Sequence, residues 1–140
     1  MSAISDTLDW PEEYDRTIPA NRKPYPHNFR VSMREAFENV TEELDRMGAR
    51  NVRVETDATH RSSEPHIPIS GSDPADPGVV VYFRYEGRNR VTPCDRWDNL
   101  RDNAQAIAKY LNAKRALDRY GVETAESEMA TQVYGSGTHD

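Results

Sequence analysis

The stretch GVVVYFRYEGRNRVTPC, residues 78–94, constrains the fold of this chain more than any other. Val79 to Tyr85 is an unbroken β-branched and aromatic run, EGRN is turn-forming, and Arg90 to Cys94 returns, the pattern of a β-hairpin. Pro93 has no amide hydrogen to give a ladder, which places the returning strand at a sheet edge or near its end. DPADPG (73–78) makes a tight lead-in to the central strand, with Pro77 fixing φ and Gly78 relaxing the backbone.

The rest of the chain supplies what covers that hairpin. SMRE at 32–35 is a capping box, in which the Ser32 hydroxyl accepts from the Glu35 amide and the Glu35 carboxylate reaches back. Met33, Phe37, Val40, Leu44 and Met47 then recur at helical spacing, and Gly48 is placed to end the helix. NVRVET (51–56) alternates apolar and charged residues as a half-buried strand does. Residues 57–77 hold four prolines among polar residues and predict a long loop, a length that marks functional or mobile segments. A second, longer helix is predicted from about residue 97 to 120, with Trp97, Leu100, Ala104, Ile107, Ala108 and Leu111 as its apolar stripe and Gly121 as its stop. In this reading Asp95 is the N-cap and Asp98 the acid of the first turn.

The order helix–strand–hairpin–helix predicts an α+β fold: a three-stranded antiparallel sheet with two helices packed on one face. Residues 31–121 form this domain. Residues 1–30 form an irregular N-terminal arm that lays Trp10 and Tyr14 against it, and 122–140 a polar, partly disordered tail. With 36% hydrophobic residues in 140, the core is expected to be small.

Charge narrows the function classes. Twenty-four acidic against eighteen basic residues give a net charge of −6, and only Lys23, Lys109 and Lys114 are lysines. An acidic, lysine-poor surface suits concentrated salt, where screening removes repulsion between carboxylates, and it argues against non-specific nucleic-acid binding through overall charge. No apolar run approaches a membrane span, and the first residues lack the basic start and apolar core of a signal peptide. A cytoplasmic protein with no membrane association is expected, and Cys94, the single cysteine, fits a reducing compartment.

Three constellations could carry chemistry. Cys94 precedes a helix and has Arg96 nearby, which lowers a thiol pKa, but Asp95 opposes that and no histidine is local, so it reads as a buried small hydrophobe. His60, Glu64 and His66 lack metal-ligand spacing and read as solvated loop residues. Asp95, Asp98 and Asp102 beside a hairpin raise a metal-dependent nuclease, yet the strands of the hairpin carry no acidic residue or E-x-K. Helix–three strands–helix is also the order of double-stranded-RNA-binding domains, and Arg101, Lys109, Lys114, Arg115 and Arg119 make the final helix locally basic. Asp102 and Asp118 interrupt that run, so a salt-bridged face is the default. No phosphate loop, nucleophile triad or dinucleotide fingerprint is present, and no catalytic residue, cofactor or metal is expected.

Four stretches, LDWPEEYDRTIPANR (8–22), DPGVVVYFRYEG (76–87), CDRWDNLRDNAQAIAKYLNAKR (94–115) and TAESEMAT (124–131), together resemble the small proteins of haloarchaea, their plasmids and viruses described as J domain-containing. In longer members of that family an α/β module precedes a J domain, whose His-Pro-Asp loop stimulates an Hsp70 ATPase. This chain has no His-Pro-Asp, so the resemblance implies the accompanying module without the co-chaperone activity. The expectation is a non-enzymatic module that binds a protein partner through the start of the last helix (Asp95, Arg96, Asn99, Asn103) and the Trp10–Pro11 segment. The alternative is a nucleic-acid-associated protein, a binder or a metal-dependent nuclease, using the basic final helix and Asp95/Asp98.

Overall fold

A computed structural model describes residues 4–121; the expected tail at 122–140 lies outside the described residues. The chain runs through a 3₁₀ turn (Pro19–Asn21), helix α1 (Met33–Met47), strands β1 (Arg50–Thr56), β2 (Val79–Tyr85) and β3 (Arg88–Cys94), and helix α2 (Leu100–Tyr120). The strands form one antiparallel sheet in the order β1-β2-β3, giving the α+β class expected.

Local sequence explains the element ends. Ser32 accepts from the Glu35 amide and Glu35 accepts from the Ser32 amide, the reciprocal cap that starts α1, and Gly48 ends it at φ 79°. The β2–β3 turn is tighter than EGRN: Glu86 and Gly87 alone make it, both at positive φ (53° and 75°), and β3 begins at Arg88. That mirror-image turn follows the right-handed twist of the strands it joins. Pro93 sits on β3, an edge strand among the described residues. Counting from the Tyr85–Arg88 pair that closes the turn places it opposite Val80 in a non-hydrogen-bonded pair, so its missing donor costs no ladder bond to β2.

Alternation in β2 sorts the layers. Val79, Val81 and Phe83 join Val54 of β1, Phe37, Val40 and Leu44 of α1, and Leu100, Ala104, Ile107 and Leu111 of α2 in one buried cluster. The helices touch each other along much of their length, with Glu43 at the seam: its carboxylate accepts from Arg115 Nε (3.0 Å) and Asn112 Nδ2 (3.1 Å). Burial alone would raise the Glu43 carboxyl, but these bonds and the Arg115 charge hold it below its ordinary value.

Val80, on the opposite face of the sheet, is also fully buried. Segments of the N-terminal arm lie there instead of a helix. Leu8 is buried with its Cδ2 close above Gly78, and the Asp9 carbonyl accepts from the Tyr82 hydroxyl at 2.7 Å. The loop between β1 and β2 is pinned by buried Ile67 and Pro68 and by a bridge from His60 to Pro68.

Candidate functional site

Helix α2 starts later than the sequence suggests, and this changes the role of every polar residue around it. Asn99, not Asp95, is the N-cap: its Oδ1 accepts from the Asp102 amide at 2.9 Å. Asp98 therefore lies before the helix, and Trp97 packs from outside it. Both Asp and Asn suit an N-cap, so propensity favoured neither position; a tertiary partner for Asp95 decided the matter.

That partner comes from the N-terminal arm. Asp95, 4% exposed, accepts from Arg16 Nε (2.8 Å), Arg22 Nη2 (3.2 Å) and the Thr17 amide (3.0 Å). Arg22 Nε also donates to the Asp95 carbonyl. Arg16 bridges onward to Asp76, itself 1% exposed, whose two oxygens also take the amides of Gly78 and Ser5. Two guanidiniums thus face two carboxylates in a nearly dry site, a balanced arrangement that leaves few lone pairs unmet. Burial pushes the Asp95 carboxyl up, but hydrogen bonds from Arg16 and Thr17 and the Arg16 charge bring it below the usual carboxylate range.

A second, neutral network lies beside the first. Asn103 is fully buried and uses its whole bonding capacity: Oδ1 accepts from the Trp97 amide (2.9 Å) and the Cys94 thiol (3.3 Å), while Nδ2 donates to the carbonyls of Pro77 (2.7 Å) and Trp97 (3.0 Å). Asp102, also fully buried, accepts from the Tyr25 amide at 2.9 Å and from Asn99 Nδ2 at 2.8 Å. Lys23 pairs with Trp97 as an isolated parallel bridge, its carbonyl accepting from the Asp98 amide. Tyr25 stacks on Phe29 (centroids 3.9 Å apart) and meets the Trp97 ring edge-on at 5.1 Å. The hub therefore ties the arm, the lead-in to β2, the end of β3 and the start of α2 together.

The six residues singled out from the sequence divide accordingly. Asp95 and Asn103 are buried and hold the hub together rather than face a partner. Arg96 is exposed, its guanidinium 5.3 Å from the Trp97 ring centre, and Asn99 is half-buried beside a shallow groove shared with Ser32, Met33 and Arg101. Trp10 and Pro11 are half-buried; Trp10 Nε1 donates to the Tyr14 carbonyl, and the Arg16 guanidinium lies 4.3 Å from its ring centre. Arg16, Arg22 and Asp76 were missed. No short motif marks them, because each finds its partner across more than fifty residues of chain.

Burial pushes the Cys94 thiol up to about 11; the hydrogen bond to the Arg96 backbone only partly offsets this, and the Asp95 charge adds to it. At neutral pH it is a thiol donating to Asn103, which matches its reading as a packing residue. His60 uses both ring nitrogens inside its loop, toward Thr56 Oγ1 and the Pro65 carbonyl, while Glu64 pairs with Arg34. Among the described residues no group of three or more histidine, cysteine or acidic side chains could hold a metal ion, and no helix is long and apolar enough to cross a membrane. No family model, curated protein or solved structure matches the chain.

Proposed function

We propose that this chain is a non-enzymatic protein-interaction module of the kind that accompanies J domains, with its contact surface on the accessible rim of the hub: Trp10, Pro11, Arg96 and Asn99. One observation carries the reading. Three of the four stretches that make up the resemblance, 8–22, 76–87 and 94–115, meet in the Arg16–Asp76–Asp95–Arg22 network. Buried charge there fixes an irregular, aromatic arm in one conformation beside a helix start. A pre-ordered arm binds without the entropy loss of ordering a flexible one. The acidic, lysine-poor surface belongs to the same proposal: a cytoplasmic module, of haloarchaeal or mobile-element origin, working in concentrated salt.

The nucleic-acid alternative draws less support. On α2, Arg101, Lys114 and Arg115 are paired with Asp102, Asp118 and Glu43, so much of its positive charge is already met within the chain. Asp95 is 4% exposed and bound to two arginines, so little of its carboxylate is open to a metal ion. Photo-crosslinkers at positions 11 and 96, with position 109 as control, test the proposal in a host extract. One common partner captured from 11 and 96 but not from 109 supports it. A gel shift of duplex RNA or DNA that persists from about 0.2 to about 2 M KCl overturns it, since purely electrostatic phosphate contacts weaken steeply over that range.

A further inference from the structure

The outer face of the sheet, away from the helices, is built in three transverse rows. Register places Glu55, Val80 and Pro93 in one row, Arg53, Tyr82 and Val91 in the next, and Arg50, Arg84 and Asn89 in the last, toward the hairpin turn. The arm serves the first two rows. Asp9 gives its carbonyl to Tyr82 and its carboxylate to Arg53 (3.1 Å), which also binds Glu55 (2.9 Å) while lying over the Tyr82 ring.

The third row has no such neutralisation. Arg50 and Arg84 are direct cross-strand partners, both exposed, and neither has a carboxylate partner among the described residues. Like charges directly opposite each other on adjacent strands oppose folding. A local irregularity creates this pairing. Register shifts between Arg50 and Arg53, so that Asn51 and Val52 share the single position opposite Phe83, and Asn51 sits at φ 54°. In unbroken register Asn51 would face Arg84, so the bulge exchanges a neutral amide for a second cation. Bulges recur where a side chain is re-aimed for a purpose. Asn89 completes the row, its Oδ1 accepting from Arg84 Nη1 at 3.2 Å and orienting that guanidinium.

We propose that the Arg50–Arg84–Asn89 row is a docking site for carboxylate side chains of an acidic partner segment. Two adjacent guanidiniums offer the forked donors that carboxylates accept in pairs, and Asn89 Nδ2 adds a neutral donor. The site takes carboxylates rather than a nucleic-acid backbone, because its donors are confined to one short row of two arginines and an amide and do not extend into the basic track that successive phosphates need. The surface is distinct from the rim around Trp10 and Arg96, so it stands or falls without that reading.

The test titrates the full isotope-labelled chain with hexaglutamate, hexaglutamine and a twelve-nucleotide oligothymidine, followed by backbone amide shifts. Hexaglutamate is expected to move Arg50, Arg84 and Asn89 saturably, and hexaglutamine to leave them still. Arg84→Ala is expected to weaken hexaglutamate about tenfold or more, the loss of one charge-assisted pair. Its thermal midpoint is expected to stay at or above that of the unmodified chain, because the like-charge opposition is gone. Unsaturable or scattered shifts, tighter binding of the oligonucleotide than of hexaglutamate, or an Arg84→Ala chain that binds equally well each overturn the proposal.

Discussion

Replacing Asp95 by asparagine keeps its shape and removes one charge from the hub. Arg22, whose side chain is 3% exposed, would then face a neutral amide, and Arg16 would keep only Asp76. Breaking a buried ion pair from one side costs roughly 3–5 kcal/mol, because the remaining charge stays desolvated. The introduced amide oxygen would still accept one donor, and the Arg16 side chain is 14% exposed, so the lower end applies: about 3 kcal/mol. With a urea slope of roughly 2 kcal/mol per M for a domain of this size, the unfolding midpoint falls by about 1.5 M. The effect depends on pH with a fixed sign. The folded Asp95 carboxyl lies below its ordinary value, so its contribution is complete above the unfolded value and fades as pH falls through the folded one. The gap between the unmodified chain and Asp95→Asn should therefore hold from neutral pH down to about 4 and narrow below it. Adding Arg22→Met to Asp95→Asn should recover part of the loss, since one of the two guanidiniums that faced the removed carboxylate is then gone. A loss under about 1 kcal/mol, or a gap unchanged in acid, would show that buried charge pairing does not hold the hub.

Other perturbations test neighbouring parts. Asn103→Ala strands the Trp97 amide and the Pro77 carbonyl and should cost about 3 kcal/mol, measured by urea unfolding; a cost below about 0.5 kcal/mol would place that network elsewhere. Glu43→Gln weakens the α1–α2 seam and should lower stability by about 2 kcal/mol at neutral pH, with the difference shrinking in acid because the folded Glu43 carboxyl is also held low. Cys94, half-buried, bonded to Asn103 and with its pKa raised to about 11, should resist a disulfide-exchange reagent at pH 8 until urea unfolds the chain; prompt labelling of the native chain would contradict its placement. Cys94→Ser should cost stability, read in the same urea titration, and leave binding otherwise intact.

Much of the fold was legible because its signals are local. The Ser32–Glu35 box, Gly48 and the Val79–Tyr85 run each lie within a few residues of the structure they specify. The start of α2 was misplaced because Asp95, Asp98 and Asn99 are all competent caps, and only a contact 79 residues back along the chain selects among them. The same distance hid the function of the arm. Its prolines and polar residues read as irregular, and most of it is, yet Leu8, Arg16 and Tyr25 make it a covering layer and a latch. The bulge at Asn51 was equally invisible, since register depends on both strands. Of the six residues expected at a surface, the sequence did not show that Asp95 and Asn103 are buried ties, because their burial depends on the distant arm.

An arm with little regular structure is held in this fold as firmly as the core, by buried polar contacts. Amide hydrogen exchange on the full chain puts that statement to the proof. The Thr17 amide, bound to Asp95, and the Tyr25 amide, bound to Asp102, should exchange as slowly as core amides of α1 such as Leu44, through global unfolding, and Asp95→Asn should speed Thr17 more than Tyr25. If the Thr17 and Tyr25 amides exchange at the rates of an unstructured peptide while Leu44 stays protected, the arm is not latched to the domain.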